Sequence, residues 1–211
     1  MTYRICGMPG CGNTYLHQII GSLLENSTNN HNSGHGYVEK KEGEIYLVPY
    51  RDFRDVLCST ARRQFKTHSQ NTSISSGIKM SHESLLYDME SISKWLKRPD
   101  ANMIRYEDYY PDNTRQLFTF LQDELGFVMD DKDIDIIMKE WSLENNKVRA
   151  SQYKSFKQHN KNTNIHGDHI SNDGNPGAWK ELMTDEIKEF LKPRIDSYLI
   201  ETGYITEGED W

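Results

Sequence analysis

The chain has 211 residues, and 32 Asp and Glu against 25 Lys and Arg give it a formal charge of −7. That balance excludes general binding of phosphate backbones, which needs a basic face, so no nucleic-acid partner is expected. With 36% hydrophobic residues, 12 Tyr, 7 Phe and 4 Trp, the chain is no disordered polymer. Its length suits one domain over residues 1–211, since domains run to roughly 100–200 residues. Three cysteines, Cys6, Cys11 and Cys58, are too few and oddly numbered for a disulfide framework, which fits a reducing compartment. Residues 1–20 lack a basic start followed by an apolar run, and no stretch approaches the ~20 apolar residues of a membrane helix. A cytoplasmic protein with no membrane partner is expected.

Residues 3–8 form the first expected strand, ending in the turn Pro9-Gly-Cys-Gly12. From Asn13 the pattern turns helical, with Leu16, Ile19, Ile20, Leu23 and Leu24 on one face. Residues 26–36 are polar and read as a loop, with a short strand over 36–40. Residues 45–50 read as a stronger strand, in which Pro49 must lie at the end or at a bulge. A helix is expected over about 53–65, burying Val56, Leu57, Thr60 and Ala61. The polar stretch 66–79 reads as a mobile loop, followed by a helix over 81–97 with Ser81 and Ser84 as capping hydroxyls. A strand over 102–106 and helices over 114–125 and about 131–145 come next. An irregular, locally basic segment covers 149–178, and Thr184-Asp-Glu186 announces a last helix over 185–202. Strands alternating with helices imply a three-layer α/β/α fold with a central, mostly parallel sheet. Ligands of such sheets bind at the carboxyl ends of the strands, so the segments after Met8, Tyr50 and Tyr106 should meet.

Four segments carry chemistry. Gly7-Met-Pro-Gly-Cys-Gly-Asn-Thr14 fills the frame of a phosphate loop, with Asn13 where the lysine belongs. Small residues there let backbone N–H groups face phosphate oxygens at a helix N-terminus. Arg51-Asp-Phe-Arg-Asp-Val-Leu-Cys-Ser59 leaves another strand for another helix. Arg51 and Ser59 can meet one anion if the turn folds back; taken alone, Arg51, Asp52, Arg54 and Asp55 also read as solvated charges. Arg105-Tyr-Glu-Asp108 offers Glu107 or Asp108 as a cap or as a holder of a basic residue, and Gly174-Asn-Pro-Gly-Ala-Trp-Lys180 is a turn anchored by Trp179. His166-Gly-Asp-His169 has metal-like spacing without a further ligand and reads as loop.

In this order and spacing the four segments resemble the cytosolic-type sulfotransferases, which move a sulfuryl group from 3'-phosphoadenosine 5'-phosphosulfate (PAPS) to a hydroxyl or amine and leave 3',5'-bisphosphoadenosine (PAP). The family's P-K-S-G-T-T-W is Pro9-Gly-Cys-Gly-Asn-Thr-Tyr15 here, and its R-[DN]-P-[RK]-D-x-x-x-S is matched from Arg51 to Ser59 with only the proline changed. Its R-Y-E-D-L is Arg105-Tyr-Glu-Asp-Tyr109, and its R-K-G-x-x-G-D-W-K is matched at Gly174, Gly177, Trp179 and Lys180. The resemblance implies a fold like that of the P-loop nucleoside triphosphate hydrolases. It also implies that the loop Gly10, Cys11, Gly12, Asn13 and Thr14 holds the 5'-phosphosulfate and that Tyr15 lies against the adenine. Arg51 and Ser59 would hold the 3'-phosphate beside Gly174. His35 is the best match for the family's catalytic base, with His31 in reserve, because a neutral imidazole can take a hydroxyl proton. No metal is implied, and the acceptor is a small molecule or carbohydrate bounded by loops 27–36 and 66–80.

Two departures stand out. The family's loop lysine is Gly10, and the basic pair before Gly174 is Asn172-Asp173. Losing one charge-stabilising donor costs on the order of 10²–10³ in rate, so a cation elsewhere is expected to compensate, with Arg54, Lys40, Lys154, Lys157 and Lys180 as candidates. The residues leave open a catalytically impaired PAP- or PAPS-binding protein and an ATP-dependent small-molecule kinase; Asn13 speaks against the second.

Overall fold

In the computed structural model, residues 1–25, 28, 30–63, 73–110, 112–167, 170 and 174–211 are described, with 64–67 by their backbone. The chain runs β1 (Thr2–Ile5), α1 (Asn13–Leu24), β2 (Asn30–Ser33), β3 (Glu44–Tyr50), α2 (Phe53–Thr67), α3 (Ile74–Leu96) and β4 (Ala101–Arg105). It continues through α4 (Tyr106–Tyr109), α5 (Thr114–Leu125), α6 (Asp131–Glu140), α7 (Leu143–Ser151), α8 (Trp179–Leu182) and α9 (Asp185–Glu201). The four strands pair in the order β2-β1-β3-β4, all parallel. Because β1 connects to β2 on one side and then to β3 on the other, the order reverses at β1, and the crevice beyond β1 and β3 is where such sheets bind ligands.

Alternation along β3 builds the layers. Leu47 joins Tyr3, Ile5 and Ile104 beneath Leu16, Ile19 and Ile20 of α1, Leu117, Phe118 and Leu121 of α5, and Ile134 of α6. Tyr46 and Val48 face the opposite way, onto Phe53, Val56 and Leu57 of α2, Ile78, Ile92 and Trp95 of α3, and Ile187, Leu191 and Ile195 of α9. Two apolar clusters on opposite faces of one sheet give the three-layer α/β/α arrangement that the alternation of elements predicts.

Several local readings need correction. The strand beside β1 is Asn30–Ser33, inside the expected loop, and residues 37–40 are not a strand. It forms on backbone pairing, flanked by Asn30 N–H to Met1 O at 3.1 Å and Gly34 N–H to Ile5 O at 2.9 Å, so its polar sequence carries no alternation to read. The segment expected as loop up to residue 79 is helical from Ile74, capped by Ser73, whose side chain accepts from the Ser76 amide. Ser81 is fully buried inside that helix and donates to Gly77 O at 2.7 Å, so it caps nothing. The expected helix over 131–145 breaks at Trp141, and Ser142 caps a new one. Thr184 starts α9 without a side-chain bond; its carbonyl accepts from Ile187 and Lys188 instead. Pro49 lies one residue from the end of β3, beyond the last residue paired with β1.

Candidate active site

The loop after β1 is held by its own side chains. Asn13 Oδ1 accepts from Gly7 N–H at 3.0 Å, and its Nδ2 donates to Gly7 O at 2.9 Å and Met8 O at 3.0 Å. Gly7 is required by close approach, since a Cβ there would meet Pro49 O at 2.4 Å and Asn13 Oδ1 at 2.5 Å. Gly12, at φ +86°, caps α1 from the left-handed region, and a Cβ on it would meet the Tyr106 ring at 3.2 Å. The loop therefore turns tightly and delivers the first-turn amides of α1, which have no carbonyl partner within the helix, to the crevice. Cys11 points the other way, into the core at 1% exposure, and burial pushes its thiol well above the usual range. Its contribution to the loop is its backbone.

All four charges at the start of the second segment are buried, which rules out their being solvated. Arg54 makes a two-pronged pair with Asp52, with Nη2 to Oδ2 at 2.8 Å, and lies 4.0 Å over the Trp179 ring. Asp55 accepts from the amides of Gly177 at 2.7 Å and Trp179 at 3.1 Å, docking the fourth segment onto the second; burial raises its pKa, which the nearby Arg51 and these amides offset in part. Arg51 donates to Gly10 O at 3.4 Å, Gly174 O at 3.0 Å and Asn175 O at 3.2 Å, lies 4.3 Å over the Tyr106 ring, and sits 3.7 Å from Asp55. Its guanidinium ties the phosphate loop to the 174–175 turn. Glu107 accepts from the Asp52 amide and from the Tyr204 hydroxyl, so the third segment also braces the second.

A cleft of about 380 Å³ opens at the carboxyl ends of the strands. Of the residues singled out from sequence, it brings together Gly10, Gly12, Asn13, Thr14, Tyr15, His35, Arg51, Ser59 and Gly174; Cys11 lies behind its wall. Tyr15 stands edge-on to Tyr110 at 5.7 Å. His35, exposed at the mouth, has Nδ1 at 2.9 Å from Gly7 O and 3.2 Å from Asn13 Nδ2. Both hydrogens of that amide already serve carbonyls, and Gly7 O can only accept, so the arrangement assigns a ring proton to Nδ1, which leaves Nε2 as the acceptor nitrogen of the neutral ring. His31, the reserve, faces away: it lies against His17 at 4.4 Å, and burial lowers the pKa of both rings.

None of the five expected compensating cations lines the cleft. Arg54 is spent on Asp52, Lys40 pairs with Asp100, Lys154 and Lys157 are exposed elsewhere, and Lys180 borders a second cleft near the C-terminus. Among the described residues, the cationic side chains in the lining are Arg51 and Arg63. Arg63 escaped the sequence reading, although its spacing of four from Ser59 on a helix puts the two on one face. Tyr106 of the third segment and Tyr110, with Asn164, Ile165 and His166 from the irregular segment, complete the walls. Asn172-Asp173 and half of the His166–His169 pattern lie outside the described residues. Among the described residues, no group of three metal-binding side chains occurs, and no helix is long and apolar enough to cross a membrane.

Residues 45–203, most of the chain, match the family described as Sulfotransferase domain. The chain belongs to the sulfotransferase family, a family of enzymes. Among solved structures it is similar to mouse sulfotransferase SULT7A1 complexed with PAP, at 14% identity and a TM-score of 0.71, covering 96% of this chain and 88% of that one. It is also similar to retinol dehydratase, in complex with androsterone and the inactive cofactor PAP (14% identity, TM-score 0.69, 94% and 80% covered). The complex of retinol dehydratase with retinol and PAP gives 15% identity and a TM-score of 0.68, with 94% and 81% covered. At these identities the likeness establishes a shared fold. No curated protein matches the sequence.

Proposed function

We propose that the protein transfers a sulfuryl group from PAPS to the hydroxyl or amine of a small acceptor. The observation that carries this reading is the cleft in which a glycine loop, a helix N-terminus, two arginines and a histidine converge. The residues fit the group: the loop at Gly10 and Gly12 is backbone-lined, and at both positions the backbone sits in the left-handed region that glycine favours. PAPS would supply an activated sulfuryl group on a phosphosulfate anhydride, leaving PAP.

This chain's own residues do the rest. The first-turn amides of α1 and the Thr14 hydroxyl bind sulfuryl and phosphate oxygens, where the helix dipole favours negative charge. Arg51 fixes the loop against the 174–175 turn, and Ser59 contributes a hydroxyl to the 3'-phosphate. Tyr15, Tyr106 and Tyr110 offer aromatic surface to the adenine. His35 accepts the acceptor's proton at Nε2 while its Nδ1–H stays anchored on Gly7 O, which holds the base in a fixed orientation. The protein's part is positioning and charge stabilisation, without a covalent intermediate on the chain. The relatives' structures with retinol and androsterone support a hydroxyl-bearing small molecule as acceptor.

Calorimetry with PAP and, separately, with ATP plus magnesium tests the donor, followed by sulfuryl transfer from PAPS over a panel of alcohols and amines. PAP should bind and ATP should not; preference for ATP overturns the reading. His35→Ala should keep PAP binding and lose about 10²–10⁴ in turnover, the range of one general base. Loss of PAP binding with turnover retained would refute the role given to His35. PAP binding without transfer to any acceptor would favour a binding protein.

A further inference from the structure

We infer that Arg63 is the cation that meets the donor's 3'-phosphate, taking over the charge that the sequence has dropped from the segment before Gly174. The inference rests on the reading above, in which Ser59 lies at that phosphate. Three observations carry it. Arg63 lines the same cleft as Ser59 and follows it by one helical turn on α2. Both converge on one point of the phosphate loop: a Cβ at Gly10 would stand 3.8 Å from Ser59 Oγ and 3.9 Å from Arg63 Nη2. The other arginine in the lining, Arg51, already serves three carbonyl oxygens and sits 3.7 Å from the Asp55 carboxylate, which offsets much of its charge.

The geometry also accounts for Gly10. A lysine stem rising from that position would run toward Arg63 and set two cations side by side in a half-buried cleft, where like charges repel strongly. Arg63 donates from Nη2 to Thr60 Oγ1 at 3.1 Å and its guanidinium stands 5.8 Å from the Phe156 ring, so the fork itself is held at the cleft wall beside Gly10. A guanidinium next to a hydroxyl suits a phosphate, which accepts parallel hydrogen bonds from the fork.

The test compares two ligands that differ only at the 3'-position, PAP and adenosine 5'-monophosphate, by calorimetry on the full chain. For wild type, PAP should bind more tightly. Arg63→Ala should weaken PAP roughly 10- to 100-fold, the loss of one charge-assisted contact, and leave adenosine 5'-monophosphate within about twofold. Arg63→Gln, which keeps stem and hydrogen bonding but not charge, should behave alike and guards against a folding defect in the alanine variant. Unchanged PAP affinity in both variants, with wild type binding PAP, overturns the role of Arg63. An equal loss for both ligands overturns its assignment to the 3'-phosphate. Failure of wild type to bind PAP overturns the donor reading itself.

Discussion

At position 13, where a phosphate loop presents a lysine to its ligand, this chain turns an amide inward. The Asn13 side chain satisfies one N–H and two carbonyls of its own loop and touches the imidazole that we assign as base. The exchange gives up reach and gains a fixed loop: Asn13 Oδ1 satisfies the buried Gly7 N–H, and its amide adds to the bonds that Gly7 O and Met8 O also accept from His35 and the Cys11 amide. Asn13→Ala should therefore cost about 1–3 kcal/mol in urea unfolding, and it should weaken PAP binding although the side chain makes no contact proposed here. A loss below about 0.5 kcal/mol would mean that the loop is held some other way. Residue roles of this kind are only half legible in a sequence. The motif frame picked out Asn13 and Arg51, which line the cleft, and Asp55, which docks the 177–179 turn behind it, yet whether a polar side chain faces ligand or backbone depends on loop closure. Arg63 illustrates the converse: its type and spacing were visible, but only the crossing of α2 past Gly10 gives them meaning.

Among the elements, those whose hydrophobic period is strong were readable, as α1, α5 and β3 show. The polar β2 was not, because its stability comes from backbone pairing with β1 at the sheet edge. The break between α6 and α7 was hidden for a related reason: Ser142 reads equally well as helix interior or as cap until Trp141 is seen to leave the helix and donate to Ser22 Oγ at 2.8 Å. How elements lock together was also invisible, and Glu107 offers a test. It joins the start of α4 to the start of α2 and to Tyr204, and burial raises its carboxyl above the ordinary 4.5. A carboxyl raised in the folded state favours the protonated form there. Its stabilising contribution is complete below the unfolded pKa and is lost as pH climbs through the folded value. Glu107→Gln stays neutral throughout, so its stability relative to wild type should improve as pH rises from about 4 toward 7. A stability difference independent of pH would refute the buried, raised carboxyl.

The whole molecule depends on one four-stranded sheet shared by two apolar clusters, and that sharing sets how it unfolds. Neighbouring residues of β3 serve opposite clusters, Leu47 one and Tyr46 and Val48 the other, so neither layer can melt while the sheet stays intact. The candidate site lies on that same shared element, with loops from β1 and β3 forming its floor. Its place was predictable from topology, whereas the chain's overall charge of −7 gave no hint of two arginines lining it. Ile20→Ala, beneath α1, and Leu57→Ala, beneath α2, remove fully buried side chains from opposite faces. Each should cost about 2–5 kcal/mol, and both should lower the midpoint of one common transition seen alike by circular dichroism and tryptophan fluorescence. Saturating PAP should then raise that transition in wild type and in both variants by the same free energy, about 2.7 kcal/mol at a hundredfold excess over Kd. Two separate transitions, or stabilisation by PAP in one variant only, would show that the layers fold independently and that the cleft belongs to just one of them.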